Sequence, residues 1–323
     1  MMVGRAQCAL LRLAFLLLCA AAASADDGLE RLPIWPAGMA AEAGGPRELV
    51  VTERAKPGEP RDRYATHVVA PDLTVFRAAA HSGCSLLILP GGGYQRVVMD
   101  KEGYESARWF AAHGVAAFML RYRLPGEYAR PRPELPLHDA MRALRFVRAW
   151  ADEHGGDADC AGVLGFSAGG HLAGLLATAT GDDDYAPRDA VDRRSARPDF
   201  AVLMYPVVSM QAPLAHGGSR EQLLGPSPAA QAISRWSVEE RVTARTPPVF
   251  LLHAADDSAV APGNTFALYR ALRAAGVPAE LHVFAEGGHG FGIRGAAHLP
   301  VAAWPELALR WIDDIAPTTG DAQ

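Results

Sequence analysis

The chain predicts an α/β fold, a mostly parallel, doubly wound sheet with helices on both faces. Two observations lead there. Six short apolar runs, "CSLLILPGGG", "VAAFMLRYRLP", "CAGVLGFSAGG", "DFAVLMYP", "PPVFLLHAADD" and "AELHVFAEGGHG", end in turn residues and alternate with stretches of helical periodicity. Runs this short and continuously apolar are expected as strands buried on both faces, with helices to cover them. The second observation concerns the residues at the ends of the runs: Gly91-Gly92-Gly93, Ser167, Asp256-Asp257 and His289 each stand just past one. Ligands of such sheets bind beyond the carboxyl ends of the strands, so these groups are expected along one edge.

In chain order, residues 1–25 have the form of a cleaved secretory signal. Arg5 and Arg12 precede or interrupt the start of an apolar run that ends in Ala23-Ser24-Ala25. A membrane anchor is the poorer fit, because the uncharged run from Leu13 to Ala25 is shorter than the roughly 18 apolar residues of a usual span. A lipid-modified Cys19 is a poorer fit too, with Leu18 where lipoprotein signals want a small residue. Residues 26–323 are expected to form a single domain, and the protein to be exported, periplasmic or secreted.

Between the strands, "HDAMRALRFVRAWADEHGG" places Ala140, Leu144, Val147 and Ala151 on one helical face, with Arg142, Arg145 and Arg148 away from it. The glycines after His154 close that helix. "NTFALYRALRAAGV" repeats the scheme, with Leu268 and Leu272 one turn apart and Gly276 as a C-terminal stop. Residues 216–245 break the rhythm and are expected either as a small cap over the site or as a surface excursion.

Composition excludes some partners. Without Arg5 and Arg12 the formal net charge moves from −5 to −7, and no Lys/Arg block stands out, so nucleic acid is not an expected partner. No apolar stretch after residue 25 is long enough to span a bilayer, and no stable membrane insertion is expected after signal cleavage. Cys84 and Cys160 lie in no CxxC or Cys/His cluster, so no metal site is expected.

"GFSAG" fits GxSxG in the strand, sharp turn, helix setting of a nucleophile elbow. Its small residues let the turn close and lift the Ser167 hydroxyl to a helix N-terminus, where negative charge is favoured. A serine needs a base, and of eleven histidines His289 is the candidate, on the glycine-rich loop "EGGHGFG" after the last strand. His171, His253 and His138 have plainer places: in the turn after the elbow, inside a strand, and at a helix start. The base needs a carboxylate, and Asp256 and Asp257 both qualify in the order Ser, Asp, His; neighbours in an extended segment point opposite ways, so only one is expected to face it. Gly92, Gly93 and Ala168 are the candidate amide donors of an oxyanion hole. A phosphate-binding glycine loop is the alternative, but no Lys follows as in GxxxxGK and GGGYQR lacks the GxGxxG spacing.

With these motifs in place, the chain resembles the α/β-hydrolase superfamily, and within it the exported acetyl-esterase and acetyl-xylan-esterase-like carbohydrate esterases. The resemblance rests on "LPIWPAG", "LPGGGYQRVVMDKEGYESARWFAAHG", "LRYRLP", "PLHDAMRALRFVRAWA", "GVLGFSAGGHLAG", "TPPVFLLHAADDSAV" and "GVPAELHVFAEGGHGFG", in order from about residue 32 to 293. It implies the α/β-hydrolase fold, and through the family pattern DxxV it implies Asp257 as the carboxylate. Ala261 stands where these proteins often carry proline, while Asn264 falls where expected. No metal or organic cofactor is implied. The implied substrate is a small-molecule or oligosaccharide ester, such as O-acetyl groups on xylan fragments, with Tyr94 as a substrate contact. Cys84 and Cys160 begin strands that neighbour each other in this fold, which implies a disulfide, with two buried free thiols as the alternative. Two other functions are weighed. A serine peptidase of the prolyl-oligopeptidase type shares the triad, but those proteins resemble longer chains with an added β-propeller. A silent binding protein on the same fold leaves the retained serine, histidine, aspartate and glycines without a reason.

Overall fold

The computed structural model describes residues 28–36, 44–78 and 83–315; residues 1–25, expected as a signal, lie outside the described residues. In chain order the strands and helices are β1 (Arg31–Pro33), β2 (Val50–Glu53), β3 (Arg63–Thr66), β4 (Asp72–Phe76), β5 (Ser85–Leu89) and β6 (Val97–Val98). They continue with α1 (Glu105–Ala112), β7 (Ala116–Arg121), α2 (Glu134–His154), β8 (Ala161–Phe166), α3 (Ala168–Ala177) and β9 (Ala201–Met204). The last are α4 (Gly217–Leu224), α5 (Ala230–Arg235), β10 (Val249–Ala254), α6 (Gly263–Ala274), β11 (Ala279–Phe284) and α7 (Trp304–Ile315). Eight strands form one sheet in the order β1-β4-β7-β5-β8-β9-β10-β11, and β2-β3-β6 form a smaller one. The run from β7 to β11 is parallel throughout, and β1 and β4 are antiparallel additions at one end.

The six expected strands are present as β5, β7, β8, β9, β10 and β11. Five of them are buried at every position, because helices cover both faces. In β8 the two faces can be told apart residue by residue. A methyl on Gly165 would sit 2.6 Å from the Cβ of Ala173 on α3, so only glycine lets that helix approach. Its neighbour Phe166 points the other way, edge-on to Trp304 of α7 at 5.7 Å.

The structure corrects one expectation. β11 is half-exposed rather than buried on both faces, with Val283 44% exposed, because it is the edge strand with a single neighbour. Arg142, Arg145 and Arg148 lie away from the apolar face of α2 as expected, and they are buried there. Segment 181–199 covers them and supplies Asp189 and Asp192 to Arg142, Asp184 to Arg145 and Asp199 to Arg148. A buried guanidinium is tolerated only when its donors are satisfied, and here carbonyls of residues 34, 194, 195 and 197 take the remainder. Gly155 does close α2, in the left-handed conformation at φ 79°.

Candidate functional site

Ser167 stands between β8 and α3 with φ 53° and ψ −117°, a conformation that L-residues with side chains avoid and that an elbow imposes. The turn is pinned on both sides: the Ser167 amide donates to the Met204 carbonyl at 3.0 Å, and its own carbonyl accepts from His171 and Val207 at 3.0 Å each. The side chain lies at the carboxyl edge of the sheet, 8% exposed.

Oγ of Ser167 is 2.8 Å from Nε2 of His289, and Nδ1 of His289 is 2.6 Å from Oδ2 of Asp257. Because Asp257 accepts at Nδ1, that nitrogen carries the proton and Nε2 is bare, which lets the serine hydroxyl donate to it. The Asp257 side chain is fully buried and accepts further bonds. The amides of Ala259 and Val260 donate to Oδ1 at 2.9 Å each, and Nε2 of His253 donates to Oδ2 at 3.1 Å. Burial pushes this carboxyl up, but the bonds from His253, His289 and Val260 outweigh it and hold the group well below the usual carboxylate range.

The choice between the two aspartates is resolved by their partners. Asp257 reaches His289, whereas Asp256 turns outward and accepts the Gly288 amide at 2.8 Å, which fastens the loop bearing His289. His253 has a larger part than its place inside a strand suggested. Its Nε2 faces two acceptors, Asp257 and the Val260 carbonyl, while Nδ1 accepts from Thr265 at 2.7 Å, so it backs Asp257 from the core side. A histidine four residues before an aspartate was the available sequence signal.

The glycine loop begins against the serine: a methyl on Gly91 would lie 2.9 Å from Ser167 Cβ. Gly92 has φ 129°, and a methyl there would meet the Arg96 carbonyl at 2.2 Å, so the turn closes on glycine alone. The Gly91 amide donates to Glu102 Oε2 at 2.8 Å, while the amides of Gly92 and Gly93 have no partner among the described residues. Ala168 opens α3, where a helix leaves its first amides without intrahelical acceptors. Glu102 also accepts from the Tyr205 hydroxyl at 3.0 Å, and Tyr205 accepts the Gly292 amide at 3.1 Å. Neither Glu102 nor Tyr205 stood out in the sequence.

The expected substrate contact through Tyr94 does not hold. Tyr94 has no exposed surface; its hydroxyl donates to Nδ1 of His171 at 2.8 Å, and Nε2 of His171 donates to the Trp236 carbonyl at 2.8 Å. The phenol is thus a buried strut beneath the glycine loop. Burial also lowers His171, to about 4, so the imidazole is neutral there. Segment 216–245 forms α4 and α5 and packs against this region: Ser219 Oγ lies 3.9 Å from where a Gly93 methyl would be, and Trp236 caps His171. His216 opens α4, accepting the Ser219 amide at Nδ1, and is lowered by burial and by the proximity of His289.

Cys84 and Cys160 are joined by a disulfide, with Cα atoms 4.6 Å apart. The register explains it: Ser85 pairs with Ala161, so the cysteines sit one step before that rung on adjacent parallel strands. Among the described residues no group of three or more His, Cys, Asp or Glu is arranged to hold a metal ion, and no helix is long and apolar enough to cross a membrane.

A parallel sheet with a serine elbow after β8, an acid after β10 and a histidine after β11 is the architecture of the α/β-hydrolases. A solved structure described as an acetyl ester-xyloside bifunctional hydrolase from Caldicellulosiruptor lactoaceticus is 35% identical, with a TM-score of 0.72 over 88% of this chain and 96% of that one. Residues 77–272 match the BD-FAE family model, and the chain belongs to that family. It is similar to an endo-1,4-beta-xylanase B of Butyrivibrio fibrisolvens, 35% identical over 64% of this chain. It is also similar to an acetylxylan esterase of Xylanibacter ruminicola, 32% identical over 68%. The match spans only 32% and 43% of the lengths of those two relatives.

Proposed function

We propose that the protein is a serine carboxylic-ester hydrolase that removes acetyl groups from O-acetylated sugars such as xylan fragments. The observation that carries this is the hydrogen-bonded chain from Ser167 through His289 to Asp257, beside two loop amides without partners among the described residues. Ser167 Oγ attacks the ester carbonyl as its proton passes to His289 Nε2. The C=O bond opens to an oxyanion received by the amides of Ala168 and of Gly92 or Gly93. Asp257, held ionised by its bonds, stabilises the imidazolium. The intermediate collapses, the bond to the sugar oxygen breaks, and His289 returns the proton to the leaving alcohol. Water then gives its proton to His289 and its oxygen to the acyl carbon, and acetic acid leaves with Ser167 restored.

The sugar acetate is the substrate favoured by the relatives described as acetylxylan esterase and acetyl ester-xyloside hydrolase. Export to the periplasm or beyond fits the same reading, since residues 1–25 have signal form and the Cys84–Cys160 bond persists in oxidising compartments. The test is acetate release from acetylated xylo-oligosaccharides, set beside a prolyl amide and a long-chain acyl ester. Turnover of the sugar acetates ahead of both others is expected, and preference for the amide overturns the assignment.

A further inference from the structure

Glu102 is a buried carboxylate, 3% exposed, on the π-helical turn Met99–Tyr104. Asp100, two residues earlier, is paired with Arg63 at 2.7 Å, but Glu102 forms no ion pair among the described residues. A charge taken out of water without a counter-ion is costly, and it persists where hydrogen bonds to it serve something else. Both of its oxygens are used. Oε2 accepts the Gly91 amide at 2.8 Å and Oε1 the Tyr205 hydroxyl at 3.0 Å. Because the Tyr205 oxygen receives the Gly292 amide, its own hydrogen is committed to Glu102. Tyr205 is held at φ 36°, a backbone conformation that a bulky residue keeps only when its surroundings enforce it. Its ring stands edge-on to His289 at 5.0 Å and to Phe291 at 4.6 Å.

We propose that Glu102 is a positioning residue that couples the two halves of the site. One oxygen fixes the start of the glycine loop, and the other, through Tyr205, fixes the loop that carries His289. Its Oε1 also lies 3.7 Å from the place of a methyl on Gly290, the residue after His289. The other groups around that loop are Asp257 and Asp256 after β10, His216 from the 216–245 segment, and Lys101, whose Nζ is 3.9 Å from the place of a Gly290 methyl.

The kinetic part rests on the esterase reading above; the structural part does not. Hydrogen exchange is measured on Glu102→Ala, Glu102→Gln and Tyr205→Phe, with nitrophenyl acetate kinetics across pH. Glu102→Ala is expected to raise exchange in residues 91–98 and 286–293 together and to lower kcat by about a hundredfold, the cost of a small misplacement of reacting groups, with KM nearly unchanged. Glu102→Gln keeps an acceptor for Gly91 but turns a donor toward the Tyr205 hydroxyl, whose hydrogen loses its acceptor, so protection returns in residues 91–98 and not in residues 286–293. Tyr205→Phe raises exchange only in residues 286–293. Unchanged exchange in both loops of Glu102→Ala overturns the proposal, as does exchange in residues 286–293 of Glu102→Gln that coincides with wild type. If Glu102→Ala does not fold, the other two variants decide the matter. A wild type inert to the ester refutes the esterase reading, while the exchange data still judge the brace.

Discussion

The two ends of the Ser167–His289 hydrogen bond are held by different means. Ser167 directly follows a central strand between covered faces, and its turn is fixed by packing and by backbone bonds with Met204, His171 and Val207. His289 hangs from an edge strand on a loop whose hold is largely polar: Asp256 to Gly288, Asp257 to the ring, Tyr205 to Gly292, and the Gly292 carbonyl to Trp304. Changes to the packing around the serine should therefore be read out mainly as stability, and changes at the histidine end mainly as rate. That is the arrangement expected of a rigid scaffold presenting an adjustable loop.

The sharpest break of this contrast is His289→Ala, which removes the proposed base and leaves the packed half alone. Ester turnover is expected to fall by about ten-thousandfold or more, with the melting temperature within a few degrees of wild type; a turnover loss under tenfold removes His289 from the mechanism. On the scaffold side, Cys84→Ala with Cys160→Ala cuts the covalent tie between β5 and β8. Chemical denaturation should show a loss of about 2–4 kcal/mol, with KM for nitrophenyl acetate unchanged in the folded protein.

Beneath the elbow, His171 gives a pH-dependent version of the same statement. The unfolded chain takes up a proton at an imidazole near pH 6.5, whereas in the fold burial delays this to about 4. Stability is therefore complete above pH 6.5, falls as the pH drops from 6.5 to 4, and levels off below, for a total of about 3 kcal/mol. Denaturant midpoints at several pH values should show this slope in wild type and a shallower one in His171→Gln; equal slopes would mean that His171 is not kept neutral. Smallest is Asp256→Ala, which frees only the Gly288 amide. A loss of about 1 kcal/mol is expected, with a severalfold drop in kcat and raised exchange confined to the His289 loop.

How much could be read in the sequence depends on the range of the interaction. The central strands announce themselves because burial on both faces leaves a continuous apolar run, and the glycines, Ser167, Asp257 and His289 because each ends one of those runs. The edge position of β11 was not legible, since "AELHVF" is apolar enough for either place. Neither were β1, β2, β3, β4 and β6, which are two to five residues long and lack a strong alternation. Periodicity set Arg142, Arg145 and Arg148 apart from the apolar face of α2, but it carries no information on what covers that second face. Tyr94, Asp256 and, through Tyr205, Glu102 draw their roles from partners far away in the chain, such as Tyr94 with His171 and Asp256 with Gly288. No local pattern encodes such pairings.

The central claim is that the Ser167 oxygen is made nucleophilic by the imidazole next to it. A fluorophosphonate probe followed by intact mass and peptide mapping tests this without any assumption about the natural substrate. One adduct on the peptide bearing Ser167 is expected in wild type, none in Ser167→Ala, and a greatly slowed adduct in His289→Ala. Equal labelling of folded Ser167→Ala, or an adduct on another residue, would contradict the account.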